Sequence, residues 1–370
     1  MTYTLDEIRE VWLGDGRIAA TEDEMVHEFN RVERIMGRDW MGARLTPAPG
    51  VTASGALVTL RIVMYGQLLA SVENAPGADA VLAKLRAGRP DTLSELKATY
   101  LLKLGDADTQ LELEPTVIVG TTNRKPDIRV RRAAEPWTYV EVTRPDTSEE
   151  AVRVHDLIET IGRVLDAVKG KYSLEVFLRR QPTQSEVSTL RQQVEKICQL
   201  QGVQVVKLQS NLGALYLNEL EPGLVVMDDH GEPLVPRTGM ATSITEEGET
   251  TRSVAVRVAF SDDRADDFLR KEAKQLPKDA PGVVMIDVSE ASGGMRTWRP
   301  LLEKRLQPNI HTRVSGICLF QSSSYPSDAG ETWRIETKLL LNKNAAMQLP
   351  SSLISKLSRY ESDDPDSSSV

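Results

Sequence analysis

Arg124-Lys125-Pro126-Asp127-Ile128-Arg129-Val130-Arg131, followed after a short connection by Tyr139-Val140-Glu141-Val142-Thr143, is the stretch on which the fold turns. Both runs alternate with a period of two, as half-buried strands do. Ile128 and Val130 point to one side, while Asp127, Arg129 and Arg131 point to the other. Val140 and Val142 go to the core in the second run, and Tyr139, Glu141 and Thr143 share the polar face. Between the runs, Arg132-Ala133-Ala134-Glu135-Pro136 predicts a hairpin with a loop of a few residues. A hairpin centred near Ala134 sets Asp127 opposite Glu141, with Cβ atoms about 5 Å apart. Facing carboxylates repel unless a cation sits between them or one carries a proton. A hard divalent ion such as Mg²⁺ is the usual occupant of a small all-oxygen site. A slip of one residue in register would destroy this arrangement.

Upstream, a helix is expected from Asp91 or Thr92 to Leu104, with Gly105 as its stop. It carries Glu95, which has two readings. Three residues after Thr92, Glu95 is where a capping box would place a glutamate, and the other reading, a catalytic role, is what the resemblance described below implies. The strand after this helix alternates Leu111 and Leu113 with Glu112 and Glu114, which form an exposed or site-facing row.

Glu95 in Ser94-Glu95-Leu96, then Pro126-Asp127, then Glu141-Val142-Thr143 at the end of the next strand resembles the PD-(D/E)XK nuclease superfamily, whose fold is restriction-endonuclease-like. The resemblance covers roughly a third of the chain and implies hydrolysis of phosphodiester bonds with a divalent ion. On that reading Asp127, Glu141 and the carbonyl of Val142 would hold Mg²⁺ or Mn²⁺. Glu95 would reach the ion through water or a second ion. The ion would neutralise charge building on the phosphate. The family pattern has a lysine two residues after the glutamate, and here Thr143 stands in that place. A hydroxyl orients a water but brings no positive charge. Arg129, Lys103, Lys271 and Lys274 are candidates for a charge supplied from elsewhere. The competing expectation is a nuclease fold without activity, kept for binding nucleic acid or protein.

The net charge of −9 weighs against a protein that holds nucleic acid by general attraction to phosphates. Arg124, Lys125, Arg129, Arg131 and Arg132 cluster beside the expected site, however, and would focus positive charge where a backbone lies. DNA is the expected substrate ahead of RNA. The two cysteines, Cys198 and Cys318, lie in apolar surroundings and predict buried thiols with no disulfide framework and no zinc site. The first residues lack the pattern of a signal peptide, and the longest apolar segment, 53–72, contains Arg61 and Gln67. A cytoplasmic protein with no membrane span is the expectation.

The fold class predicted is α/β: a restriction-endonuclease-like mixed-sheet core at 91–210, a helical region at 1–90 and a mixed α/β region at 211–360. An acidic tail at 361–370 is expected to be disordered. Capping boxes at Thr4-Leu5-Asp6-Glu7 and Thr21-Glu22-Asp23-Glu24 open the first helices. The helical region offers a platform for a second copy of the chain or another protein. Arg38 to Gly50 reads as turn-rich and Thr238 to Thr251 as a flexible loop. Within the core, the strands at Tyr172 to Leu178 and Val203 to Leu208, with their helices, are expected to complete the nuclease-like sheet. Asp228-Asp229-His230-Gly231 reads as a hairpin tip, and Asp287, at the end of an apolar strand, is a further site candidate.

Overall fold

The structure is a computed structural model and describes residues 4–14, 18–45, 55–119, 121–145, 149–168, 170–200, 202–218, 237–246, 249–259, 264–289, 291, 294–327 and 330–359. The expected hairpin tip at Asp228 to Gly231 and the tail at 361–370 lie outside the described residues. The chain divides into two compact units: 1–144 with 264–289 and 301–370, and 145–263 with 290–300.

The first unit opens with α1 (Leu5–Leu13), α2 (Glu22–Met36), α3 (Arg38–Leu45), α4 (Gly55–Val72), α5 (Ala78–Arg86) and α6 (Asp91–Lys103). Thr4 and Thr21 close the expected capping boxes with Glu7 and Glu24. Residues 38–45, expected as turns, form α3, because burying Trp40, Met41 and Leu45 stabilises a helix that propensity alone leaves short. Gly66 lets α2 and α4 approach closely, since a Cβ there would stand 2.9 Å from the Glu28 Cα. Among the described residues no helix is long and apolar enough to cross a membrane.

The strands then follow as β1 (Thr109–Leu113), β2 (Val117–Val119), β3 (Thr122–Arg124), β4 (Ile128–Arg132) and β5 (Thr138–Thr143). The second unit supplies α7 (Glu149–Ala167), β6 (Tyr172–Leu178), α8 (Gln184–Cys198), β7 (Gln204–Lys207), β8 (Gly213–Asn218), β9 (Arg237–Glu246) and β10 (Glu249–Ala259). The chain continues through α9 (Arg264–Ala273), β11 (Gly282–Asp287), α10 (Gly294–Glu303), β12 (Gly316–Ser327), β13 (Gly330–Leu341) and α11 (Ser351–Ser358).

A mixed six-stranded sheet of order β1-β4-β5-β11-β12-β13 forms the first unit's floor, so the protein is of mixed α/β class. β1, β4 and β5 run as an antiparallel meander, and β5, β11 and β12 are parallel. The second unit holds its own sheet, β7-β8-β6-β10-β9, over a core that includes Leu157, Ile161, Leu174, Val176, Val194 and Val254.

Two expectations about topology are corrected here. The strand at Tyr172 to Leu178 does not extend the sheet of β5. It pairs with β8 and β10, and β5 takes β11, far downstream, as its parallel neighbour. Gly282-Val283-Val284-Met285-Ile286-Asp287 is buried at every position, which suits a strand covered on both faces, as parallel strands are. Within the stretch Thr238 to Thr251, expected as a loop, residues 238–246 and 249–251 lie in β9 and β10; threonines favour extended structure, and the antiparallel register from Ala259↔Arg237 onward pairs the two strands. The expected boundaries near 90 and 210 also differ from the observed division, which falls at 144 and 263, because non-local pairing of β5 with β11 joins distant segments.

Candidate functional site

The register of the β4–β5 hairpin decides what the site contains. Ile128 pairs with Val140, Arg129 with Tyr139 and Val130 with Thr138, and the same step carried outward sets Asp127 across from Glu141. Asp127 stands just ahead of β4 and turns its carboxylate inward, where Oδ2 accepts the Val142 N–H at 2.7 Å. The side chain thereby takes the place of a ladder carbonyl. Pro126, which this register puts beside Val142, has no N–H to offer the Val142 carbonyl in return.

β5 lies between β4 and β11, so both of its edges are paired, and with α6 and α9 packed on it Glu141 and Thr143 are buried at 4% and 9% exposure. α9 packs against β5 and β11 with Leu269 and Ala273 buried, as is Leu276 just beyond its end, and Glu272 lies between them, 5% exposed. The Thr143 hydroxyl donates to Glu272, and the Glu141 carboxyl is hydrogen-bonded to both Glu272 and Asp127. From the other side α6 brings in Glu95, 6% exposed.

Four acidic side chains therefore share one enclosed region, and their acidities record it. Burial, then the neighbouring charges of Asp127 and Glu272, pushes Glu141 up to about 10. Burial and the charge of Glu95 raise Asp127 to about 7, against the opposing pull of the Val142 N–H. Glu95 and Glu272 are also raised, chiefly by burial, with Lys84 and Lys271 respectively opposing the shift. Glu141 stands in the middle of the cluster, hydrogen-bonded to both Asp127 and Glu272.

Lys84 is the ammonium drawn closest to the acids. Gly77 adopts φ +86 where α5 begins, and a Cβ there would run into the Leu113 carbonyl, so the start of α5 lies directly against the end of β1. Leu113 N–H donates to the Pro76 carbonyl at 2.8 Å across the same junction. Lys84, in the last turn of α5, bridges Glu95 at 3.3 Å and Glu114. Its charge also reaches Asp127.

The other residues singled out from the sequence have separate fates. Glu95 does not belong to a capping box: α6 starts at Asp91 with Pro90 as its cap, and the Thr92 hydroxyl makes no hydrogen bond. Arg129 is paired with Glu112 and lies 4.5 Å over the Trp137 ring, so it does not serve the carboxylates. Lys103 donates to the Ser71 carbonyl, Lys271 is exposed and stands 3.4 Å from Glu272, and Lys274 is exposed. Of the basic cluster, Arg131 stacks on Trp137 and donates to Gln110, and Arg132 pairs with Asp106 at 3.3 Å. Arg124 ends β3 and Lys125 is exposed beside it, both leading directly into Pro126. Asp287 is held by Lys97 at 3.1 Å and Ser94 at 2.8 Å, a buried polar knot that ties α6 to the end of β11.

Glu272, Lys84 and Lys97 escaped the sequence reading. Glu272 had a signal: it stands three residues after Leu269 and four before Leu276, on an apolar stripe where a carboxylate is out of place. Lys84 and Lys97 had none, since single lysines on helices are ordinarily solvated.

The donor chemistry of the cluster fits a hard cation. All its ligating atoms are oxygens, and Glu95 Oε2 and Glu141 Oε1 are buried without a hydrogen-bond partner. Among the described residues, no three His, Cys, Asp or Glu side chains stand as a ready-made metal centre. No family model, no curated protein and no solved structure matches this chain.

Proposed function

We propose that the first unit is a metal-dependent nuclease with a restriction-endonuclease-like core, acting on the phosphodiester bonds of nucleic acid, DNA ahead of RNA. The observation that carries the reading is the placing of Asp127 across from Glu141, and hydrogen-bonded to it, within a mixed sheet, where one oxygen of Glu141 and one of Glu95 are buried without a hydrogen-bond partner. The helix α9 followed by β11, a strand parallel to β5, supports the reading in place of the helices and strands of 148–208 that were expected to complete the core.

Asp127 Oδ1, Glu141 and the Val142 carbonyl would hold Mg²⁺ or Mn²⁺, with Glu95 and Glu272 as outlying acids. Once bound, such an ion supplies Lewis-acid stabilisation of the phosphate and makes a water more nucleophilic at neutral pH. The protein's own part is to keep Asp127 fixed through the Val142 N–H, to release the proton that Glu141 holds, and to exclude bulk water from β5. Thr143 is tied to Glu272 and serves to orient that acid.

The test is direct. The purified chain is incubated with single- and double-stranded DNA and RNA in Mg²⁺ or Mn²⁺, alongside Asp127→Ala. Cleavage by the native chain that falls by about 100-fold or more in the variant supports the reading. Absence of both cleavage and ion binding from the native chain overturns it. A second reading, an inactive nuclease-fold module that binds nucleic acid or protein, is favoured by Thr143 in place of lysine. It predicts partner binding with no dependence on divalent ions.

A further inference from the structure

We propose that the cleft between α11, the end of α6 and the β4–β5 hairpin binds a small organic anion, with Lys356 and Arg132 receiving its phosphate or carboxylate head. None of the four acids gathered around β5 lines this cleft. It encloses about 310 Å³, at the small end of the range for small-molecule sites. Leu102, Val130, Pro136, Pro350 and Leu353 supply its apolar lining. Ser352 and Lys356, one turn apart on α11, add a hydroxyl and an ammonium from the same face of the helix.

Charge in the cleft does not balance. Asp106 serves two cations at once, its Oδ2 lying 3.3 Å from Arg132 Nε and 3.8 Å from Lys356 Nζ. Glu135, the other acid of the lining, accepts from the Ser352 hydroxyl, and Arg131 is stacked on Trp137. One carboxylate between two cations leaves a positive charge over, and the Lys356 side chain is only 12% exposed to water. Burial lowers the pKa of Lys356 and Arg132 and Arg359 add repulsion, against the pull of Asp106. An entering oxyanion therefore meets an ammonium that is incompletely compensated, and gains charge-assisted hydrogen bonds from it. The apolar lining selects an organic body, since a bare inorganic ion would leave those side chains unused.

The rim is set before any ligand arrives. Glu135 N–H donates to the Arg132 carbonyl at 3.0 Å around Ala133 at φ +49, and the bond from Ser352 to Glu135 ties that loop to α11. Lys356 also donates to Thr109 Oγ1 at 3.4 Å, which holds the ammonium against the start of β1.

The metal-free full-length chain is titrated by calorimetry with phenyl phosphate, benzoate and inorganic phosphate, alongside Lys356→Met and Asp106→Asn. Phenyl phosphate or benzoate is expected to bind with a Kd of about 1 mM or tighter, and inorganic phosphate at least about tenfold more weakly. Lys356→Met should weaken the organic anion by about tenfold or more, through loss of a charge-assisted bond. Asp106→Asn should tighten it by about threefold or more, because the carboxylate that competes for both cations is gone. Two variants with opposite responses separate a built site from a general loss of structure. No binding of either organic anion at about 10 mM overturns the proposal, and so does inorganic phosphate binding as tightly as they do. Affinity unchanged in Lys356→Met, or unchanged or lowered in Asp106→Asn, also overturns it. If Lys356→Met does not fold, Asp106→Asn carries the test: tighter binding supports the site, and equal or weaker binding overturns it.

Discussion

At the scale of single residues, the informative feature is a set of acids held where ionisation is costly. Glu141 is raised to about 10 and Asp127 to about 7, both first of all by burial. A carboxyl whose folded pKa exceeds its unfolded value takes up protons on folding, so its contribution is fully present below the unfolded pKa and is lost as pH rises through the folded one. For Asp127 that window runs from about 4 to about 7, and for Glu141 it extends to about 10. Thermal midpoints of the metal-free chain should therefore fall steadily between about pH 5 and about pH 9. The slope should flatten in Glu141→Gln and in saturating Mn²⁺. A midpoint constant over that range, or a slope unchanged by Glu141→Gln, contradicts the placement of this proton.

At the scale of elements, α9 shows why the site was only partly readable. Its buried Leu269 and Ala273 would make a plain helix–sheet contact but for Glu272, whose carboxyl is hydrogen-bonded to that of Glu141. Glu272→Gln keeps the acceptor for Thr143 and removes a like charge, so it should stabilise the metal-free protein by about 1 kcal/mol while weakening ion binding. Denaturant unfolding with and without Mn²⁺ measures both, and a destabilised variant would show that Glu272 is structural. The β4–β5 hairpin was legible because alternation and a short loop together fix a register. The start of α2, the extent of α6 and the bounds of β6 were likewise marked, by the Thr21 capping box, by Gly105 and by a run of apolar residues. What escaped were decisions made by distant chain: α3 forms because its tryptophan and leucine are buried, and Thr238 to Thr251 is drawn into strands by pairing. The lysines at 84 and 97 belong to this second kind, because their acid partners lie on other elements.

At the scale of the whole molecule, the principal fact is that the six-stranded sheet is interrupted. Nothing in the local pattern of β5 tells that its parallel partner is β11 rather than β6, since both downstream strands are apolar and both follow a helix. The intervening 145–263 segment has its own sheet and its own apolar core. Expressed alone, it should fold cooperatively and show no divalent-ion affinity, as judged by calorimetry and amide dispersion in NMR. A fragment that remains unfolded would show that its core depends on the rest of the chain.

The distance along the chain between Thr143 and Gly282 also has a consequence for biosynthesis. As the polypeptide leaves the ribosome at about 5–20 residues per second, β5 waits on the order of ten seconds before the strand that completes its hydrogen bonding is made. During that interval the nascent meander exposes a raw, hydrophobic margin of the kind that recruits other chains. The inserted segment is synthesised in the same interval and can bury its own strands at once. Production of this protein should therefore respond to translation speed and to chaperones that shield nascent edges.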